Sequence, residues 1–339
     1  MRNLIRVVTA FIAAIVVTTA GSAAVSVAQA VSLRASAGPG SAGRLHGLLS
    51  RDSPAALPGS GTHPLSIVTL YAPPSDAQWT TVEDSAPTVA GAIVNICDSA
   101  GNGPGCNNTD WTSQNTSWDA TVSALQAAGI TPLIYITTDN GTDSISTLET
   151  ELSQAQQWWG ITTPMFDQMT GTEGSANDGS GICTDGGADV TCQSYYQQLY
   201  DYAMSNGAQA VMFNPGTWYG MSPAFMYGPY EILQGFENSE ATLDDNADPA
   251  PSWAGSYGPF QFSATVSAAT QANLATDISD ATADQDAGFI YEDDEAEPPN
   301  YATLPSWFAA FLTDLSSATL PGPAAQSASR PAESAITRG

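Results

Sequence analysis

Residues 117–167 read SWDATVSALQAAGITPLIYITTDNGTDSISTLETELSQAQQWWGITTPMFD, and this stretch decides the fold. Apolar residues recur at helical spacing over Ser117–Ala128 and again over Ser144–Trp159. Each helical stretch is followed by a short run that is apolar on both faces, Thr131–Thr137 and Ile161–Asp167. Runs apolar on both faces and separated by helices indicate strands of a parallel sheet covered on both sides.

Working outward, the same alternation continues. Strands are expected at Leu65–Leu70, Val89–Ile96, Ala208–Asn214, Glu231–Glu237, Tyr257–Phe262 and Ala287–Tyr291, making eight in all. Further helices are expected at Asp76–Ser85, Gln193–Ser205, Pro223–Tyr230, Val266–Ala283 and Pro305–Leu315. Eight such units predict an α/β single domain, a (β/α)8 TIM-type barrel. A doubly wound open sheet is the main alternative. Its nucleotide-binding versions lose support, because no Gly-x-Gly-x-x-Gly opens a helix after the first strand and the chain has no Lys for a P-loop.

The remaining segments read differently. Arg2 and Arg6 precede an apolar run from Val7 to about Val27 and the small-residue site Ala28-Gln29-Ala30. Residues 1–30 are therefore expected to be a signal peptide, with a retained anchor as the rival reading. Residues 31–62 form a Ser/Ala/Gly/Pro-rich linker or pro-segment, 63–318 the barrel, and 319–339 a disordered C-terminal tail. A secreted, extracellular monomer is expected, with no membrane contact after signal cleavage.

Charge narrows the partners. All seven basic residues are Arg at or before Arg51 or at or after Arg330, whereas 32 of the 34 Asp and Glu residues, all but Asp52 and Glu333, lie in the barrel body. A body with no cationic side chain cannot displace counterions from phosphates, which argues against nucleic acid. It favours neutral or cationic partners. Such a body also escapes positive self-repulsion as its carboxylates protonate, so acid stability is expected. The four cysteines form two local pairs, Cys97 with Cys106 and Cys183 with Cys192, expected as loop-stapling disulfides rather than zinc ligands. Neither His46 nor His63 lies near them. No metal and no cofactor is expected.

In a barrel, functional groups gather where strands end. The residues there are Tyr71, Asn95, Asp98, Thr138, Asp139, Asp167, Gln168, Asn214, Glu237, Glu292, Asp293 and Asp294. Asp167 and Glu237 stand out, each an acid directly after an apolar run, on alternate strands. A carboxyl pair that brackets a glycosidic bond can protonate the leaving oxygen and attack the sugar or activate water. The body lacks the His and Lys that other hydrolytic or Schiff-base chemistries need. Trp218 and Tyr219, after Asn214-Pro215-Gly216-Thr217, read equally as sugar-stacking or packing residues. Glu292-Asp293-Asp294-Glu295 reads as a solvated loop rather than a calcium site.

The ordered set Val94-Asn95, Gly103-Pro104-Gly105, Pro132 through Thr138, Phe166-Asp167, Tyr195-Tyr196, Phe213 through Thr217, Gly235-Phe236-Glu237 and Gly288 through Tyr291 resembles the spherulin-4-like family. These spherulation-specific proteins include (β/α)8-barrel glycoside hydrolases acting on α-1,4-galactosaminan. The resemblance implies that Asp167 and Glu237 match the family's catalytic acids. One departure stands beside it: Gln168 occupies the place of a family Glu. A secreted endo-acting glycoside hydrolase on galactosamine-containing or related polysaccharide is therefore expected. The alternative is a non-catalytic carbohydrate-binding barrel. Tyr71, Asn95, Thr138, Asp139, Gln168, Asn214, Trp218, Tyr219, Tyr291 and Asp293 are the expected substrate contacts.

Overall fold

The computed structural model describes residues 61–107, 109–170, 181–296 and 298–321. The expected signal peptide, nearly all of the linker and most of the C-terminal tail lie outside them. The elements run β1 (Ser66–Leu70), α1 (Gln78–Glu83), β2 (Val89–Val94), α2 (Asp119–Ala128), β3 (Thr131–Thr137), α3 (Ile145–Trp159) and β4 (Thr163–Asp167). A hairpin, β5 (Ile182–Asp185) and β6 (Ala188–Thr191), precedes α4 (Cys192–Ser205) and β7 (Val211–Phe213). There follow β8 (Glu231–Ser239), α5 (Glu240–Asp244), β9 (Phe262–Ser267), α6 (Leu274–Asp284), β10 (Phe289–Glu292) and α7 (Phe308–Ser317).

Eight strands form one parallel sheet in the order β1-β2-β3-β4-β7-β8-β9-β10. The sheet closes on itself where Leu65 donates to the Gly288 carbonyl and accepts from Ile290, both at 2.9 Å. The architecture is a (β/α)8 barrel. Alternate strand residues serve two layers. Ile67, Ile93, Leu133, Met165, Met212, Ile232 and Phe289 fill the barrel. Val68, Val94, Ile134, Phe166 and Phe213 pack outward with helix residues such as Val122, Leu125, Leu148, Leu152 and Ile278.

Local signals fix the helices. The Ser144 hydroxyl accepts from the Thr147 N–H at the start of α3, and Gly160 ends it in the left-handed region. Thr191 caps α4 in the same way by accepting from Ser194. The cysteines pair as expected, Cys97 with Cys106 and Cys183 with Cys192.

Three sequence expectations need correction. The seventh barrel strand is Phe262–Ser267, not Tyr257–Phe262, within which Pro259–Gln261 forms a turn of 3-10 helix that follows another at Ala254–Ser256. Half of that strand is Ser or Thr, so its burial does not show as an apolar run. Between β7 and β8 no α-helix forms; Pro223–Phe225 is a single 3-10 turn ahead of Gly228 and Pro229. The helix expected from Val266 begins at Leu274, since Val266 and Ser267 belong to the strand.

Candidate active site

The acidic ends of β4 and the polar residue after β7 meet inside the barrel mouth. The Asn214 side-chain amide donates to Asp167 Oδ1 at 2.7 Å and to Glu237 Oε2 at 2.6 Å. One nitrogen thus holds both carboxylates. Two bonds of those lengths end to end bound the oxygen separation at about 5.3 Å. The amide is itself oriented, because its Oδ1 accepts from the Gly216 N–H at 2.8 Å. The second oxygen of each acid takes a phenol. Tyr135 donates to Asp167 Oδ2 at 2.5 Å, and Tyr301 donates to Glu237 Oε1 at 2.7 Å.

Backbone bonds continue the sheet around this group: Thr138 N–H to the Asp167 carbonyl at 3.0 Å, Asn214 N–H to the Phe166 carbonyl at 2.9 Å, and Glu237 N–H to the Gly216 carbonyl at 3.0 Å. The acids are therefore set by strand geometry rather than by free loops.

Glu237 reaches the mouth through a bulge. Along β8 the pairing to β9 slips by one residue, with Gln234 opposite Ser263 and Phe236 opposite Ala264. An extra residue reverses the alternation of faces beyond it. Ile232 packs inside the barrel, Phe236 packs among the outer core, and Glu237 faces Asn214. Gly235 is the inserted residue, and a β-carbon there would lie 2.3 Å from the Trp218 indole. Trp218 fills the space a side chain would take.

That assignment corrects one expectation. Trp218 is 5 % exposed, its indole N–H donates to Gln285 Oε1 at 2.7 Å, and its ring packs edge-on against Trp253 and Phe262. It supports the bulge and has no face to offer a sugar. Thr138 is also fully buried, with its hydroxyl shared between the carbonyls of Asp167 and Gln168. It buttresses the strand end instead of meeting ligand. Asn95 donates to the Gly105 carbonyl at 2.9 Å and anchors the Cys97–Cys106 loop, whose Gly105 has no room for a side chain beside Tyr135.

The other expected contacts divide by exposure. Tyr71 packs edge-on against both Tyr135 and Tyr301, at ring separations of 5.9 and 5.6 Å, and so lines the site. Gln168 is exposed, with a left-handed backbone and its Oε1 bound by the Thr137 hydroxyl. Asp139 is exposed on the neighbouring turn, where its carboxylate accepts from Thr142. Tyr219 is exposed on the β7–β8 connection. Tyr291 and Asp293 are buried together, the phenol donating to Asp293 Oδ2 at 3.3 Å. Glu292 and Asp293 are both inaccessible to solvent, so the first half of the acidic run departs from the solvated loop expected from its composition, while Asp294 is exposed and Glu295 partly so.

Burial raises the Asp167 carboxyl above its ordinary range, against the Tyr135, Gln168 backbone and Asn214 donors that lower it. Burial is also the largest influence on Tyr135, whose phenol is pushed far up and stays a donor, with the Asp167 charge acting the same way. Burial pushes Asp293 up to about 6. Among the described residues no set of three His, Cys, Asp or Glu side chains is arranged to hold a metal ion.

Two site residues escaped the sequence reading. Tyr135 lies two positions before Thr137 on a strand whose alternation puts Leu133 and Tyr135 on the inner face, a signal present but unused. Tyr301 follows the last strand on an irregular connection and carries no motif. Its φ of 52° places it in the left-handed region, the backbone conformation from which its phenol reaches Glu237.

The sequence profile of spherulation-specific family 4 matches residues 66–315, which spans the whole barrel. No curated protein sequence matches the chain. Among solved structures, Aspergillus clavatus Sph3 in complex with GalNAc superposes with a TM-score of 0.52 at 15 % identity, covering 75 % of this chain and 98 % of that one. A GH18 chitinase from Pseudoalteromonas aurantia gives a TM-score of 0.45 at 11 % identity over 74 % of this chain and 99 % of that one. At these identities the likeness to Sph3 is one of fold.

Proposed function

The chain belongs to spherulation-specific family 4, and on that premise we propose that it is a secreted, endo-acting glycoside hydrolase in which Asp167 and Glu237 perform the chemistry. The observation that carries this reading is the single amide of Asn214 holding one oxygen of each carboxylate. Two acids drawn together by a shared donor at the open end of a barrel match what glycosidic cleavage requires.

Burial disfavours the charged form of Asp167, which suits it to carry a proton. It serves as the acid that protonates the leaving oxygen. Glu237, with donors from Asn214 and Tyr301, serves as the carboxylate that attacks the sugar or activates water. The family resemblance and the GalNAc bound by Sph3 direct attention to galactosamine-containing polysaccharide. A body without Lys or Arg would tolerate the cationic, deacetylated form of such a polymer. Nothing in this scheme needs a metal or organic cofactor.

A non-catalytic carbohydrate-binding barrel is the second reading, and Gln168 is what favours it. The Gln168 side chain, however, bonds to Thr137, and Asp167 has both its side-chain donors without it. The test is reducing-end release from a polysaccharide panel that includes partly deacetylated α-1,4-galactosaminan. Release from one polymer supports hydrolysis. Retention on a polymer with no release moves the function to binding.

A further inference from the structure

Asn214 binds Oε2 of Glu237 and Tyr301 binds Oε1, but Tyr301 does so from a backbone that needs support. Its φ of 52° lies in the left-handed region, which a bulky residue keeps only where its surroundings impose it. Glu295 imposes it. A single carboxylate oxygen, Oε2, accepts from the Asn300 N–H at 2.7 Å and from the Tyr301 N–H at 3.0 Å. The Tyr301 carbonyl accepts from the Tyr71 N–H at 2.7 Å, just past the end of β1. Both sides of this residue's backbone are thus fixed, and its ring sits against Tyr71 and Tyr291 at centroid separations of 5.6 and 6.4 Å.

Glu295 is anchored in turn. Its N–H donates to Asp293 Oδ1 at 2.7 Å, and its carbonyl accepts from the Ala268 N–H at 2.7 Å, just past the end of β9. The buried Asp293 also takes the Tyr291 phenol at 3.3 Å. A charged acceptor shared by two successive backbone N–H groups binds them more strongly than a neutral one. Those two groups set the direction in which the Tyr301 phenol leaves the chain.

Resting on the glycosidase reading of the acid pair, we propose that Glu295 is a positioning residue for that reaction: by fixing the backbone of Tyr301 it keeps the phenol on Glu237, and so keeps Glu237 ionised and aimed. Glu295 acts through Tyr301, and the sign of one shift separates this from a plain charge effect. A hydrogen bond to the ionised form lowers a carboxyl's midpoint, whereas a neighbouring negative charge raises it. Loss of the Tyr301 bond therefore moves Glu237 up, and removal of the Glu295 charge alone moves it down. The other titratable groups facing Glu237 are Asp167 on β4, Tyr135 on β3 and Tyr71 after β1. Asp293 and Tyr291 stand beside Glu295. All five are left in place in the test.

The experiment follows the Glu237 side-chain carboxyl by carbon-13 NMR in the full protein, its signal identified by its loss in Glu237→Gln, alongside kcat and KM on partly deacetylated α-1,4-galactosaminan. Glu295→Ala removes both acceptor and charge. It should raise the Glu237 midpoint by about one pH unit and lower kcat roughly tenfold, with KM within about twofold of the parent. Glu295→Asp keeps the charge but falls one methylene short, and should move both in the same directions. Glu295→Gln keeps an oxygen at the acceptor position and should lie nearer the parent than Glu295→Ala does. Tyr301→Phe should reproduce the Glu295→Ala loss, and the double variant should add nothing to it. An unmoved or lowered Glu237 midpoint in Glu295→Ala overturns the proposal, as does additive loss in the double variant, and either leaves the glycosidase reading standing. No release by the parent overturns that reading, while the titration still decides what Glu295 does.

Discussion

At the scale of single residues, the site is a problem in sharing donors. Two carboxylates within about 5.3 Å of each other would repel if both were ionised in a buried setting, and the Asn214 amide and two phenols offset that by supplying four hydrogen bonds. Asn214→Ala should lower kcat roughly ten- to hundredfold with a smaller change in KM, as steady-state kinetics would show, because positioning is lost before binding. An oxygen separation of at most about 5.3 Å is less than the gap that inverting enzymes keep for a water, so retention of anomeric configuration is the expected outcome. Proton NMR of the first-formed product should show the substrate's anomer retained, and an inverted product would contradict the geometry. Because Asp167 keeps its proton above the ordinary carboxylate range, activity should fall as pH rises through that raised value. Asp167, Glu237 and Asn214 were legible because each closes an apolar run. Tyr301 was not, because its part is set by a connection whose path only the folded chain shows.

At the scale of elements, β8 shows why sequence order alone does not aim a side chain. Its apolar run is plain, yet strict alternation from the inward Ile232 would point Glu237 out of the barrel. The bulge at Gly235 reverses this, and the Trp218 indole closes over the glycine. Gly235→Ala should destabilise the protein by about 2 kcal/mol through overpacking and depress kcat by displacing Glu237, which thermal unfolding and kinetics together would reveal. Parallel strands built from Val, Ile and Leu could be read directly. β9 could not, because Ser263, Thr265 and Ser267 give it a polar period that an apolar-run reading passes over. The β5–β6 hairpin was read only as a stapled loop. Its turn residues Gly186 and Gly187 have φ of 56° and 89°, and the Cys183–Cys192 bond ties it to the start of α4.

At the scale of the whole molecule, the absence of cations from the body leaves buried acids with no ionic partner. Glu151, Asp277 and Glu292 are pushed up to about 8, 7 and 9, in each case chiefly by burial and then by neighbouring carboxylates. Asp277 and Glu292 have no hydrogen-bond partner for either oxygen, and Glu240 and Asp314 add to the negative field at Glu292. Folded-state values above the unfolded ones mean that the native state holds more protons, so stability is full below about pH 4 and falls as pH rises through 7 to 9. Thermal midpoints should accordingly decline from acid to alkaline buffer. Glu292→Gln should flatten that decline at its alkaline end while leaving the acid end unchanged. Such a decline would give the acid stability expected from composition a structural cause.

The most direct measurement is reducing-end release from partly deacetylated α-1,4-galactosaminan by the parent, Asp167→Asn and Glu237→Gln proteins, each checked by circular dichroism for an intact fold. The parent should release ends and both variants should lose at least a thousandfold in rate, the loss expected when either half of an acid–nucleophile pair is removed. Parent-like release by either folded variant would contradict the account.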